Sequence, residues 1–271
     1  MHRVNVTSFA MRYRHISFTR TPSAAAIVLP ARGDGCTITE EIAAELRDCC
    51  HALMLADELR VVTISGSGHS FAVGRVKPPP DILSRPTVAK RRAWQDALWV
   101  ASAVAALPMP VVAVLNGDAI AHGLELALAA DLRVAVGTAR LGAGDPMVDG
   151  FPFDGATQRL PRLVGPALAR DMLFTGRALS ALEALEFGLV NRVAPPERLD
   201  DVVDDLVSTI VASAPIAARY AKEAVVAAGD LTLTQGLRLE ADLSVILQST
   251  DDRAEGLGAF AEKRSPQFQG H

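Results

Sequence analysis

The stretch that most constrains the fold is "PVVAVLNGDAIAHGLELALAADLRVAV", residues 110–136. Its first part, 110–117, is an apolar run closed by Asn116 and Gly117, and it reads as a buried strand. An Ala/Leu-rich helix follows, starting near Gly123, and "LRVAV" (132–136) is another strand. One carboxylate, Glu125, lies in the first turns of that helix. Backbone N–H groups at a helix start carry partial positive charge and can hold an anion. A glutamate there is equally explained by the helix dipole alone.

The same alternation recurs through the first two thirds of the chain. "HISFTR" (15–20) and "AAIVLPA" (25–31) read as strands joined by the turn "TPSA". A helix is expected over 39–55, capped by Thr39, with Glu40 and Glu41 at its positive end and an apolar stripe of Ile42, Leu46, Cys49 and Leu53. "RVVTISG" (60–66) is a strand, "VKPPPDILSRPT" (76–87) the best candidate for a mobile loop, and 88–107 one helix stopped by Pro108 and Pro110. Short helices are expected over 155–188, one of them behind a capping box of Ser180 and Glu183. "PPERLD" (195–200) breaks the chain, and 201–263 reads as helices alone, with Thr232 and Gln235 as another capping box. The fold class is therefore α/β: a core over 1–200 and a helical C-terminal subdomain over 201–271.

Composition narrows the function class. Of 271 residues, 49% are hydrophobic and 21% charged, a globular balance. The net charge of −4 argues against a basic nucleic-acid surface and a polybasic membrane contact. No apolar run is long enough to span a bilayer, and residues 1–18 lack the apolar core of a secretory signal. Cys36, Cys49 and Cys50 show neither metal nor redox spacing, so a reduced, cytoplasmic setting is expected.

Two glycine-rich patterns fail on inspection. "GSGHSFAVG" (66–74) puts Phe71 where a dinucleotide loop needs its third glycine, and Ala72 where a nucleophile elbow around Ser70 would close with glycine. The loop 142–165 holds Asp145, Asp149 and Asp154 among glycines and prolines. One of these could face Glu125 across a pocket, and spacing alone does not select it.

Taken in order, the segments resemble the enoyl-CoA hydratase/isomerase (crotonase) superfamily over nearly the whole chain. "RGDGCTIT" (32–39) is similar to the family's early CoA-binding loop, and "DELRVVTISGSGHSFAVGRV" (57–76) to the segment carrying the first oxyanion-hole residue. "PMPVVAVLNGDAIAHGLELALAADLRVA" (108–135) is similar to the segment with the second oxyanion residue and the first catalytic acid. "GDPMVDGFPFDGATQRLPRLVG" (144–165) is similar to the one with the second acid. "LFTGRALSALEALEFGLVNRV" (173–193) and "FAEKRSP" (260–266) match later signatures.

The resemblance implies a spiral of ββα units with the acyl-CoA site, and a C-terminal helical subdomain that forms a homotrimer or a dimer of trimers. It gives the oxyanion-hole N–H groups to Arg75 and His122, and the two catalytic acids to Glu125 and Asp145. It gives CoA contacts to Arg32, Thr37, Ile38, Lys222 and Lys263. The implied reaction is addition of water to a 2-enoyl-CoA, with no cofactor beyond the CoA of the substrate. Isomerisation, thioester or C–C hydrolysis, and acyl-CoA binding without catalysis stand as alternatives. Four positions depart from the family pattern: Arg75 and Val76 replace a small residue and an aspartate, His122 replaces a glycine, and Asp145 replaces a glutamate. Asp154, one position beyond an aspartate that dienoyl-CoA isomerases use, is given no catalytic role.

Overall fold

Short runs of Val, Ile, Leu and Ala are too short for buried helices, and they pair as strands. In the computed structural model, which describes residues 13–31, 35–84, 86–144 and 150–271, β1 (Ser17–Arg20) and β2 (Ala24–Leu29) form a hairpin before helix α1 (Glu40–Met54). Strands β3 (Val61–Gly66) and β4 (Ser70–Val73) lead to helices α2 (Pro80–Ser84), α3 (Val88–Leu98) and α4 (Ala101–Ala105). Then come β5 (Val111–Leu115), β6 (Asp118–Ile120), helix α5 (His122–Ala127), β7 (Leu132–Val136) and β8 (Arg140–Gly142). Helix α6 (Ala156–Thr175), β9 (Ala178–Ser180), α7 (Ala181–Glu186) and β10 (Arg192–Ala194) follow. The last elements are helices α8 (Leu199–Val211), α9 (Pro215–Ala227), α10 (Leu233–Leu247) and α11 (Asp251–Glu262).

The described strands form two sheets, a large one in the order β1-β2-β3-β5-β7-β10 and a small one in the order β4-β6-β8-β9. All pairings are parallel except β1 with β2 and β8 with β9. Along the chain, β3, β5 and β7 lie in the large sheet, and each is followed by a strand of the small one. Every pass thus lays down two strands in different layers before a helix or loop returns, which is a spiral of strand–strand–helix units. Every residue of β5, at the centre of the large sheet, is buried, as parallel strands covered on both faces must be.

The passage from one sheet to the other is tight. A Cβ built on Gly117 would lie 1.9 Å from the His69 carbonyl oxygen, and one on Gly123 would lie 1.9 Å from that of Ala72. Only glycine lets α5 rest directly on β4.

The expected single helix over 88–107 is two helices, α3 and α4, broken at Trp99 and Val100. Tertiary contacts hold the break. The Arg47 guanidinium donates through Nη1 to the carbonyls of Ala97 (2.8 Å) and Trp99 (2.9 Å). On the other side the freed N–H groups of Val100 and Ala101 both donate to Asp154 Oδ2, each at 2.8 Å. The stretch 76–87, expected to be loop, contains helix α2. Strands β6, β8 and β9, each of three residues, were not expected from the sequence. The three cysteines are buried, and burial pushes the thiols of Cys49 and Cys50 up to about 12. Among the described residues no helix is long and apolar enough to cross a membrane.

Replacing Gly123 by alanine forces a methyl group into the Ala72 carbonyl, and overpacking of this kind costs about 1–3 kcal/mol. Gly123→Ala is therefore expected to lower the denaturant midpoint by a corresponding amount with an unchanged m-value, read by urea unfolding.

Candidate active site

The site grows from the step between β6 and α5. Ala121, at that step, has φ 52° and ψ −118°, a conformation that residues other than glycine adopt at a cost of about 1–3 kcal/mol. It turns the chain sharply, so that His122 opens the helix. The N–H of a residue at that position has no acceptor within the helix. Strand β4 runs parallel to β6 with Val73 opposite Ile120. Ile38 is bridged to Arg75: the Ile38 N–H donates to the Gly74 carbonyl at 3.0 Å and the Val76 N–H to the Ile38 carbonyl at 2.9 Å. Of the residues singled out in the sequence, Ile38 thus stands beside Arg75, and Arg75 and His122 both lie against Phe153.

Glu125, one turn into α5, is 1% exposed. Its Oε1 accepts the N–H groups of Asp154 (2.8 Å) and Ala156 (3.2 Å), and its Oε2 is buried with no hydrogen-bond partner. Loss of hydration on burial pushes this carboxyl above the ordinary range; neighbouring His122 and the two N–H donors oppose the shift without cancelling it.

The second carboxylate against this turn is Asp154, also 1% exposed. Besides the N–H groups of Val100 and Ala101, its Oδ2 meets His122 Nε2 at 3.0 Å. The backbone carbonyl of Asp154 accepts Arg159 Nη1 at 2.9 Å. Burial draws the Arg159 guanidinium below its ordinary range, while Asp154 and Glu125 act to keep it charged. Phe153 packs against the His122 ring, with centroids 5.5 Å apart, and the Arg75 guanidinium lies 4.5 Å above the Phe153 ring centre. An open groove of about 560 Å³ runs along the same turn, with Trp99, Ser102, Asp154, Gln158 and Arg159 among its lining.

The other sequence-selected residues fall elsewhere. Lys222 donates from Nζ to Asp131 Oδ2 (2.7 Å) and to the Met109 carbonyl (3.0 Å), tying α9 to the residues that precede β5 and β7. Asp131 Oδ2 also accepts the Val111 N–H at 2.7 Å, so this pair is an internal brace and is not gathered with the others. Lys263 caps α11 in a left-handed conformation on the surface. Asp145 and Arg32 lie outside the described residues.

Two members of the site were not chosen from the sequence. Asp154 was one of three loop acids and was given no catalytic role, and Arg159 was not singled out. What distinguishes Asp154 is the helix break at Val100 that needs an acceptor, and no local pattern announces that break.

Comparison with known proteins agrees with this geometry. Residues 20–271 match the family described as enoyl-CoA hydratase/isomerase. The chain is 32% identical over 246 residues to (E)-benzylidenesuccinyl-CoA hydratase of Thauera aromatica, covering 86% of this chain and 91% of that one. It is 34% identical over 215 residues to the enoyl-CoA isomerase/hydratase fer4 of Mycosarcoma maydis, covering 78% and 77% respectively. The crystal structure of an enoyl-CoA hydratase from Bacillus anthracis superposes with a TM-score of 0.88 at 33% identity, covering 95% of this chain and 100% of that one. The chain belongs to the enoyl-CoA hydratase/isomerase family, and its fold is the crotonase spiral.

The raised Glu125 carboxyl has a consequence for stability. The folded state holds this proton more tightly than the unfolded chain, so the contribution is complete below the ordinary glutamate range and is lost as pH rises through the folded value. Glu125→Gln keeps the two N–H contacts and cannot ionise. Relative to wild type, it is expected to gain stability between pH 5 and pH 8, measured from urea midpoints at both pH values.

Proposed function

We propose that the protein adds water across the double bond of a 2-enoyl-CoA thioester, with Glu125 as the acid that delivers a proton to the α-carbon. The observation that carries this reading is a buried carboxyl with one unsatisfied oxygen, held one turn inside a helix whose first N–H is free of helical partners. As water adds to the β-carbon, negative charge moves onto the thioester oxygen. The N–H groups of Arg75 and His122 receive that charge; one such donor is worth about 3–4 kcal/mol in the transition state. Burial raises this carboxyl above the ordinary range, which suits it to give a proton to the α-carbon as the enolate collapses.

The reaction also needs a group that takes the proton from water. The family resemblance makes Asp145 the second acid of the pair. Arg32, Thr37, Ile38 and Lys263 are proposed as CoA contacts, and no cofactor is required. Ile38 stands beside Arg75 already. Lys222 is left out because its ammonium is committed to Asp131.

The decisive measurement mixes the protein with short 2-enoyl-CoA thioesters and follows the conjugated absorbance. Wild type is expected to consume the signal, and Glu125→Gln to lower kcat by about 10²–10⁴-fold. A protein inert on every 2-enoyl-CoA that shifts a 3-enoyl-CoA is an isomerase instead, which needs one proton shuttle and no water. Release of free CoA thiol marks a thioester hydrolase.

We also propose a trimer or a dimer of trimers. Val225, Leu233, Leu237, Val245, Leu257 and Phe260, on α9 to α11, are exposed apolar side chains on adjoining helices, more than an isolated chain normally shows to water. Light scattering is expected to give three or six times the chain mass, and a monomer at micromolar concentration refutes this assembly.

A further inference from the structure

The pair His122–Asp154 has no counterpart in the proposal so far, and its geometry assigns it a task. Asp154 Oδ2 takes two backbone N–H groups, from Val100 and Ala101 at 2.8 Å each, and faces His122 Nε2 at 3.0 Å. A carboxylate oxygen anchored by two N–H donors acts as an acceptor, so Nε2 carries a hydrogen. In the neutral tautomer this leaves the other ring nitrogen, Nδ1, as a bare lone pair. It is buried and has no hydrogen-bond partner, like Glu125 Oε2 and Asp154 Oδ1. Orphaned buried polar atoms cost about 1–3 kcal/mol each, and they call for partners that arrive with the substrate or with water.

The placement fits this chemistry. His122 and Glu125 are three residues apart on α5, so they share one face of the helix. Both reach the same turn: Glu125 Oε1 holds the N–H groups of Asp154 and Ala156, while His122 Nε2 holds the Asp154 carboxylate. Phe153 flanks the imidazole, and Arg159 donates to the Asp154 carbonyl. The ionisable groups around the imidazole among the described residues are therefore Asp154, Glu125, Arg159 and, across Phe153, Arg75.

We propose that His122, oriented by Asp154, is the proton acceptor that works opposite Glu125 in the hydration. This deepens the hydratase reading and rests on it. The step balances as follows. Nδ1 takes a proton from water as the water oxygen bonds to the β-carbon. The electrons of the carbon–carbon double bond shift onto the thioester oxygen to give an enolate. The Glu125 carboxyl then protonates the α-carbon, and the imidazolium proton returns to the Glu125 carboxylate to restore the starting state. Asp154 is a positioning residue: it sets the tautomer and stabilises the imidazolium.

The informative variant is His122→Gly, which restores the glycine of the family pattern and keeps the backbone N–H. Assayed with a short 2-enoyl-CoA, it is expected to lose about 100-fold or more in kcat, and millimolar imidazole is expected to recover at least tenfold. Asp154→Asn is expected to lower kcat with little change in KM, because the imidazolium loses its counter-charge. Nitrogen NMR of labelled wild-type protein should show Nδ1 unprotonated and Nε2 protonated, a reading that stands even if the glycine variant folds poorly. His122→Gly at or above wild-type activity overturns the proposal, as does a protonated Nδ1. A wild type inert on every 2-enoyl-CoA sinks the hydratase reading itself, whereas an active His122→Gly sinks only the role of His122.

Discussion

Two buried carboxylate oxygens, each gripping a pair of backbone N–H groups, tie the site together. Glu125 Oε1 holds the turn 154–156, and Asp154 Oδ2 on that same turn holds the break between α3 and α4. Three stretches far apart in the chain are thereby locked to one another. Each grip satisfies two donors that the fold would otherwise bury unpaired, and hydrogen bonds to a charged acceptor are about twice as strong as neutral ones. The second oxygen of each carboxylate is left over, buried and unpaired. Structural need uses half of each group, and the other half remains for chemistry.

Burial gives the same groups their chemical character. Exclusion of water raises the Glu125 carboxyl above its ordinary range and draws the Arg159 guanidinium below its own. The strained Ala121 and the contact of Gly123 with Ala72 bring the helix start close to the small sheet. An oxyanion site needs donors that do not reorganise as charge develops, and a helix start resting directly on a sheet supplies that rigidity.

Much of this was legible in the chain. The long apolar strands, helix α1 with its Thr39 cap and the capping boxes at Ser180 and Thr232 appear as read, because each is decided by neighbours within a few residues. Glu125 and the positions of Arg75 and His122 were legible through motif order. The three-residue strands β6, β8 and β9 were not, since three residues carry no period and owe their pairing to the strands beside them. The helix break at Trp99 was not legible either: its sequence is helix-compatible, and Arg47 and Asp154 impose the interruption from outside.

The sequence by itself determined the α/β alternation, the helical C-terminal third and the family, because periodicity, caps and motif order are local properties of a chain. Only the tertiary structure showed that Asp154 lies against Glu125. Asp154 differs from Asp149 in nothing that composition records, yet folding sets it against Val100, Ala101 and His122. It likewise moved Lys222 out of the candidate site and into an ion pair with Asp131. Charge partners are chosen by proximity in space, which for these residues the chain order does not encode.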